Sequence, residues 1–255
     1  MADPSAAFLD SGQYAADSIH KYERVYGQDF VSPGGAVTAR DFVARLDLSP
    51  GARVLDAGCG LGGASFLLAR EYAAEVQGVD LSRNMIAAAT ARCKELGLQQ
   101  HVSFRQADLL ALDAKNAFDA VYSRDVFLHV ADKPTLVQAL HRALVPGGKL
   151  LVTDYCRGET KGSRAFERYV EERQYHLLTV EAYGTLLEDA AFVDVRVEDL
   201  TARFVEIHET ELERFAGEDQ VESDLAELAA GWREKIDRAR RGEQRWGLFT
   251  ASKPG

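Results

Sequence analysis

The sequence predicts an α/β fold: a mostly parallel sheet with helices on both faces. Three observations carry this. Apolar strand-like runs alternate with helical stretches, the first such run breaks into glycines just before a helix, and three successive runs end in a carboxylate. A chain of 255 residues with 46% hydrophobic residues can bury one large core, so residues 1–255 are expected to form a single domain.

Taken in order, the first strand is Arg53-Val-Leu-Asp-Ala, whose acid is Asp56. Gly58, Gly60, Gly62 and Gly63 follow, and residues without a Cβ let a backbone approach a ligand closely. The second strand, Glu75 to Asp80, ends in an acid about twenty residues after the loop, placed to accept from two ribose hydroxyls. Asn84 to Leu96 is an alanine-rich helix, and the third strand runs from Val102 to Asp108, an acid placed to accept from an adenine amino group. Ala120 to Arg124 is the fourth strand. A helix over 135–144 stops at Pro146-Gly147-Gly148, and Lys149 to Asp154 is the fifth strand. Thr179 caps a helix with Glu181 near its first turn, Val193 to Asp199 alternates as a strand, and Trp246 to Ala251 is the seventh and last. Residues 203–241, charged and helical, form an insertion before that last strand; it is a candidate lid whose charge run is most simply a solvated face.

Gly58, Gly60 and Gly63 also satisfy the dinucleotide fingerprint G-x-G-x-x-G, so the glycines alone are a weak signal. The acids separate the readings. Asp56, two residues before the first glycine, would repel a pyrophosphate and instead meets an ammonium group or loop backbone. Three acids at three successive strand ends suit a cationic, phosphate-free nucleoside such as S-adenosylmethionine, with a nicotinamide site or a structural turn as the alternatives. The net charge of −10 argues against a nucleic-acid substrate. Cys59, Cys93 and Cys156 have no metal or CxxC spacing and are expected to be reduced thiols, with no metal bound. No apolar run reaches about 18 residues and no signal peptide is evident, so a soluble cytoplasmic monomer without stable membrane association is expected.

Beyond the strand ends, Gln13-Tyr14, Tyr22-Glu-Arg-Val-Tyr-Gly27 and Phe30-Val-Ser-Pro-Gly-Gly35 resemble the entrance segment of phosphoethanolamine N-methyltransferases. Tyr122 to His129, Thr153 to Cys156, Tyr169 to Tyr175 and Arg245 to Phe249 resemble further blocks of that family, in order from about residue 11 to 252. The resemblance implies a Rossmann-like class I methyltransferase fold with a seven-stranded sheet. It divides the chain into an N-terminal lid at 11–35, a cofactor-binding core at 45–155 and a phosphobase-binding half at 156–255. It implies that S-adenosylmethionine, leaving as S-adenosylhomocysteine, is held by Gln13, Tyr22, Ser32, Asp56, Gly58, Cys59, Gly60, Asp80, Leu81, Asp108, Leu109 and Arg124. It implies a phosphobase held by Gln13, Tyr22, Ser32, Asp125, Tyr155, Tyr169, Arg173 and Tyr175. The family also uses a basic residue near the C-terminus; Lys235, Arg240 and Arg241 are candidates, and Arg241 is the choice. Pro33 departs from the Ser or Thr common in the family.

The chemistry can also be argued from the residues. A primary amine of pKa near 10 is protonated at pH 7, and freeing its lone pair costs roughly 4 kcal/mol. A proton acceptor is therefore needed. Asp125 and His129, spaced i, i+4, would share one face if their segment were helical. The resemblance makes Asp125 the residue that orients the amine and pairs His129 with Tyr14 in a catalytic dyad. Without it, His129 is a surface histidine with a charge partner, and Tyr169, Arg173 and Tyr175 are a helix packing its aromatics beside an exposed arginine. The expected activity is N-methylation of phosphoethanolamine or its methylated forms towards phosphocholine. Methylation of another small amine of glycine or sarcosine type is the enzyme alternative, and a non-catalytic cofactor-binding module is the alternative of another class. If 11–35 is a lid outside the core, removing residues 1–35 should leave a folded core with nearly the same melting behaviour but almost no turnover.

Overall fold

The computed structural model describes residue 10, residues 23–216 and residues 223–255, the side chains of 215–228 excepted. It shows the α/β fold: a sheet of seven strands in the order β3-β2-β1-β4-β5-β7-β6. The strands are β1 (Arg53–Ala57), β2 (Glu75–Asp80), β3 (Val102–Gln106), β4 (Phe118–Arg124), β5 (Leu144–Arg157), β6 (Val193–Asp199) and β7 (Gln244–Ser252). The first five pair in parallel, whereas β7 is antiparallel to both β5 and β6. The helices are α1 (Gly35–Ala44), α2 (Gly63–Tyr72), α3 (Arg83–Glu95), α4 (Lys133–Ala143), α5 (Arg164–Glu172), α6 (Val180–Asp189), α7 (Thr201–Ala216) and α8 (Ser223–Arg240).

Two apolar layers flank the sheet. One gathers Phe42, Leu46, Phe66, Leu68 and Phe204, and the other Leu136, Leu140, Tyr183, Leu187 and Phe192, each layer closed by residues of the sheet itself. The central strands are buried along nearly their whole length, as parallel strands covered on both faces must be. Local capping fixes the helix starts: Ser82, Asp132, Ser163 and Thr179 each accept a hydrogen bond from a backbone N–H in the first turn of the helix they precede. One boundary differs from the sequence reading. Pro146-Gly147-Gly148 does not separate α4 from β5 but forms an irregularity inside β5, where the register with β4 shifts between Phe118 and Ala120.

The insertion before β7 is α7 and α8, and it packs against residues 23–35. Val25, Tyr26 and Trp232 form a small cluster of their own, with Trp232 Nε1 donating to the Tyr26 hydroxyl at 3.1 Å. All three cysteines are free thiols buried in the fold, and burial pushes each thiol's pKa up.

Candidate active site

The carboxyl ends of β1, β2 and β4 come together where the strand order reverses, the position at which open parallel sheets bind ligands. The glycine loop joins β1 to α2, and its glycines do different work. A side chain at Gly58 would strike Val126, and one at Gly63 would lie 2.5 Å from the carbonyl oxygen of Asp29. At Gly60, φ is +52°, and the nearest described atom to a Cβ there is Val31 Cγ2 at 3.4 Å. Gly58 and Gly63 are therefore glycines for the sake of protein packing, with Asp29 O accepting from Gly63 N at 3.1 Å. Gly60 is the one near which a ligand could pass.

Each strand-end acid is built into the backbone around it. Asp80 accepts from Gly60 N at 2.9 Å and from Ser82 N at 2.8 Å, one bond on each oxygen, which couples the glycine loop to the start of α3. Burial raises its pKa. Asp56 accepts from Ser65 Oγ at 2.6 Å in the first turn of α2, and burial pushes it up to about 7. The expected partner of Asp56 is an ammonium or loop backbone; the structure gives it the hydroxyl and backbone of Ser65, in the first turn of α2. Asp108 accepts from Leu110 N at 2.8 Å and opens a single 3₁₀ turn at Leu109–Ala111. Leu81 accepts from Gln106 Nε2 at 3.1 Å, and Cys59 and Leu109 are buried beside the loop.

Arg124, at the end of β4, donates to Gly35 O at 3.1 Å and to Pro33 O and Thr38 Oγ1. Its guanidinium thus holds the loop that carries Ser32, which itself accepts from Gly35 N at 3.1 Å. From the other side, Glu211 of α7 accepts from Gly34 N at 2.8 Å; burial pushes this carboxyl up to about 7. Pro33 is compatible with both clamps because the loop uses its carbonyl and not an N–H. Gln13, Tyr14 and Tyr22 lie outside the described residues.

Asp125 and His129 do not share a helix face. Asp125 takes a left-handed φ of +55°, and only a 3₁₀ turn at Phe127–His129 follows. Asp154 shapes that turn, accepting from Leu128 N at 3.2 Å and from the Tyr183 hydroxyl. Asp125 Oδ1 accepts from Trp246 Nε1 at 2.8 Å and Thr153 Oγ1 at 3.1 Å, while its buried Oδ2 has no hydrogen-bond partner among the described residues. The His129 ring packs edge-on to Tyr175 at 5.3 Å, and burial lowers its pKa to about 4, so it is neutral at pH 7.

Tyr155, Tyr169 and Tyr175 assemble with basic residues of α8. Lys235 Nζ donates to the Tyr155 hydroxyl at 3.3 Å and lies 5.3 Å over its ring, and the Arg238 guanidinium stacks on Tyr169 at 3.8 Å. Tyr169 meets Tyr175 edge-on at 5.8 Å, with Arg173 at 6.0 Å over Tyr169 on the exposed side. Burial, then the charges of Arg238 and Arg173, lower Lys235 to about 8. Arg241 stands outside this group: it is exposed past the end of α8 and donates to Glu243 Oε2 at 2.8 Å. The basic residue that α8 brings to the tyrosines is Lys235. Its signal lay in helical phase, since Trp232, Ile236 and Ala239 mark the buried face and Lys235 falls on it.

No group of residues suited to holding a metal occurs among those described. No described helix is long and apolar enough to cross a membrane.

A model of a methyltransferase domain matches residues 48–191. Phosphoethanolamine N-methyltransferase 1 of Arabidopsis thaliana is 44% identical over 253 residues, covering 96% of this chain and 51% of the relative. The phosphoethanolamine N-methyltransferase of Plasmodium falciparum is 32% identical, with 96% of this chain and 95% of the relative covered. The chain thus spans about half the length of the plant relatives it matches. Among solved structures, a Haemonchus contortus phosphoethanolamine N-methyltransferase 2 in complex with phosphomonomethylethanolamine and S-adenosylhomocysteine superposes with a TM-score of 0.93 at 35% identity, over 97% of this chain and 59% of that one.

Proposed function

The chain belongs to the phosphoethanolamine N-methyltransferase family, and from that membership we propose that it N-methylates phosphoethanolamine, or its mono- and dimethylated forms, towards phosphocholine. The observation that carries this reading is the group of cations on tyrosines: in a chain of net charge −10, Lys235, Arg238 and Arg173 gather so closely that their charges help to lower the lysine's pKa. A phosphate offers that group more negative charge and more acceptor oxygens than an amino acid's single carboxylate, and a free amine offers neither.

The residues fit S-adenosylmethionine as methyl donor, because Asp56, Asp80 and Asp108 at three strand ends would repel a pyrophosphate, while the Arg124 guanidinium at the end of β4 is taken up by the carbonyls of Pro33 and Gly35. When bound, it supplies a methyl group on a positively charged sulfur. Asp80 keeps one free lone pair on each oxygen for ribose hydroxyls, Asp108 faces the adenine, and Gly60 leaves room for the nucleoside; Asp56, Gly58, Cys59, Leu81, Leu109 and Arg124 frame the pocket. Asp125 holds the substrate ammonium through Oδ2. His129, neutral at pH 7, accepts the proton that the nitrogen releases, with Tyr14 as its partner. Tyr155, Tyr169, Tyr175, Arg173 and Lys235 hold the phosphate. Residues 11–35, carrying Gln13, Tyr22 and Ser32, act with the helical insertion at 203–241 as a cover over the core at 45–155, excluding water and fixing the two reactants. The 156–255 half supplies the phosphate ligands. The protein acts on small molecules as a monomer, and its free thiols support a reducing cytoplasmic setting.

A methyl-transfer assay across phosphoethanolamine, its mono- and dimethylated forms, ethanolamine and glycine tests this, with product masses as the readout. Turnover is expected only with phosphorylated acceptors. Arg173→Ala should raise KM for the phosphobase by roughly ten-fold, the scale of one charge-assisted hydrogen bond, with little change for the methyl donor. Comparable turnover of ethanolamine or glycine would refute the phosphobase reading and leave a small-amine methyltransferase.

A further inference from the structure

We infer that Trp246 is a positioning residue for the reaction, selecting which oxygen of Asp125 meets the substrate nitrogen. The block Arg245 to Phe249 has no other part in the site. Its tryptophan is wholly buried on β7, paired in register with Tyr155 and wedged between Phe42 at 5.6 Å and Phe204 at 5.8 Å. Its backbone is fixed as well: Trp246 N donates to Thr201 Oγ1 at 3.1 Å, and Trp246 O accepts from Leu200 N at 2.7 Å. The indole N–H therefore has one direction available, and it points at Asp125 Oδ1 at 2.8 Å.

Thr153 completes the arrangement from β5. Its carbonyl accepts from Asp125 N at 2.8 Å and its hydroxyl donates to Oδ1 at 3.1 Å. Two donors thus converge on Oδ1 and none of the described ones on Oδ2, although the Asp125 side chain is only 8% exposed and Arg124 Nε stands 3.9 Å away from Oδ2. A carboxylate can rotate about χ2, which would exchange its oxygens; a rigid indole N–H and a strand hydroxyl on the same oxygen prevent that. The left-handed backbone of Asp125 belongs to the same device, because it turns the side chain off the end of β4 and towards β7. The consequence is specific. Oδ2 keeps both lone pairs for N–H donors of the acceptor amine, so the benefit depends on how many N–H groups the substrate carries.

This inference rests on the proposed role of Asp125 and is tested by binding, without turnover. Phosphoethanolamine, whose ammonium donates, and phosphocholine, whose quaternary nitrogen cannot, are titrated into the protein saturated with S-adenosylhomocysteine. Trp246→Phe should weaken phosphoethanolamine by about ten-fold and phosphocholine by less than about two-fold, since only the former forms the charge-assisted hydrogen bond. Affinity for S-adenosylhomocysteine should be unchanged. Thr153→Val should shift the same ratio in the same direction, with Thr153→Ser restoring it, and this pair carries the test should Trp246→Phe fail to fold. Equal weakening of both phosphobases, or no weakening of either, would overturn the inference. Failure of the unaltered protein to bind any phosphobase would instead overturn the phosphobase reading itself.

Discussion

Asp80 has a structural role that stands apart from the ligand role proposed for it. It tethers Gly60 and Ser82 through one bond on each oxygen, and in the proposed reading it also accepts from a ribose. Asp80→Ala should weaken S-adenosylmethionine binding by roughly 2 to 4 kcal/mol, and it should also lower the melting temperature of the ligand-free protein, because the loop loses its anchor. Calorimetry and thermal denaturation separate the two effects; normal affinity would mean that the ribose lies elsewhere. His208 carries a different consequence. It is wholly buried, donates from Nδ1 to Phe204 O at 2.8 Å, and burial lowers its pKa from 6.5 to about 3. Between those two values the unfolded chain binds a proton that the folded one refuses, so this residue costs stability as pH falls below 6.5. Replacing it by leucine should make stability at pH 5.5, relative to pH 7.5, about 1 kcal/mol less unfavourable than in the unaltered protein, as read from urea midpoints. The acids were legible in the sequence because a strand end and its carboxylate are neighbours along the chain. The tethers of Asp125 were not, since Thr153 and Trp246 reach it from two other strands, and a spacing of i, i+4 says nothing of a backbone turned left-handed by long-range contacts.

At the scale of elements, α8 decides which cation joins the tyrosines. The helix ends at Arg240; Arg241 N still donates to Asp237 O at 3.0 Å, so Arg241 continues the exposed face of Asp237 and pairs with Glu243 at the surface, while Lys235 stays on the buried face. Of the three candidates Lys235, Arg240 and Arg241, helical periodicity singles out Lys235 as the one on the face that meets the tyrosines. With a pKa of about 8 in the ligand-free site, Lys235 is largely neutral at pH 8.5. A bound phosphate favours its charged form, so binding above that pKa must draw a proton from solution. Titrating phosphocholine at pH 8.5 in two buffers of unequal ionisation heat should show proton uptake that Lys235→Met abolishes, and phosphocholine has no titrating amine to confuse the count. Strand and helix boundaries were otherwise close to expectation, with Thr179 and Glu181 where capping placed them. The exception at Pro146 to Gly148 arose because a proline and two glycines can interrupt a strand's register without ending the strand.

Across the whole molecule, residues 23–35 are less separable from the core than a detachable lid would be. Val25 and Tyr26 are buried against α8, Asp29 O covers Gly63 N, and Arg124 and Glu211 grip the loop at 33–35 from opposite sides. Deleting residues 1–35 would strand a buried guanidinium without its carbonyl partners, so the expectation of an undisturbed core is replaced by one of a fall in melting temperature on the order of 5–10 °C, for a loss of a few kcal/mol. Melting equal to that of the full chain would show that the two clamps contribute nothing. The burial of every cysteine has a practical meaning at this same scale. Cys59, Cys93 and Cys156 are shut away, and their thiols are held in the unreactive protonated form. The native chain therefore offers maleimide and nitroxide reagents a silent background. A single cysteine substituted for Val37, 70% exposed on α1 and close to the clamped loop, would carry a fluorophore or spin label reporting on that loop alone.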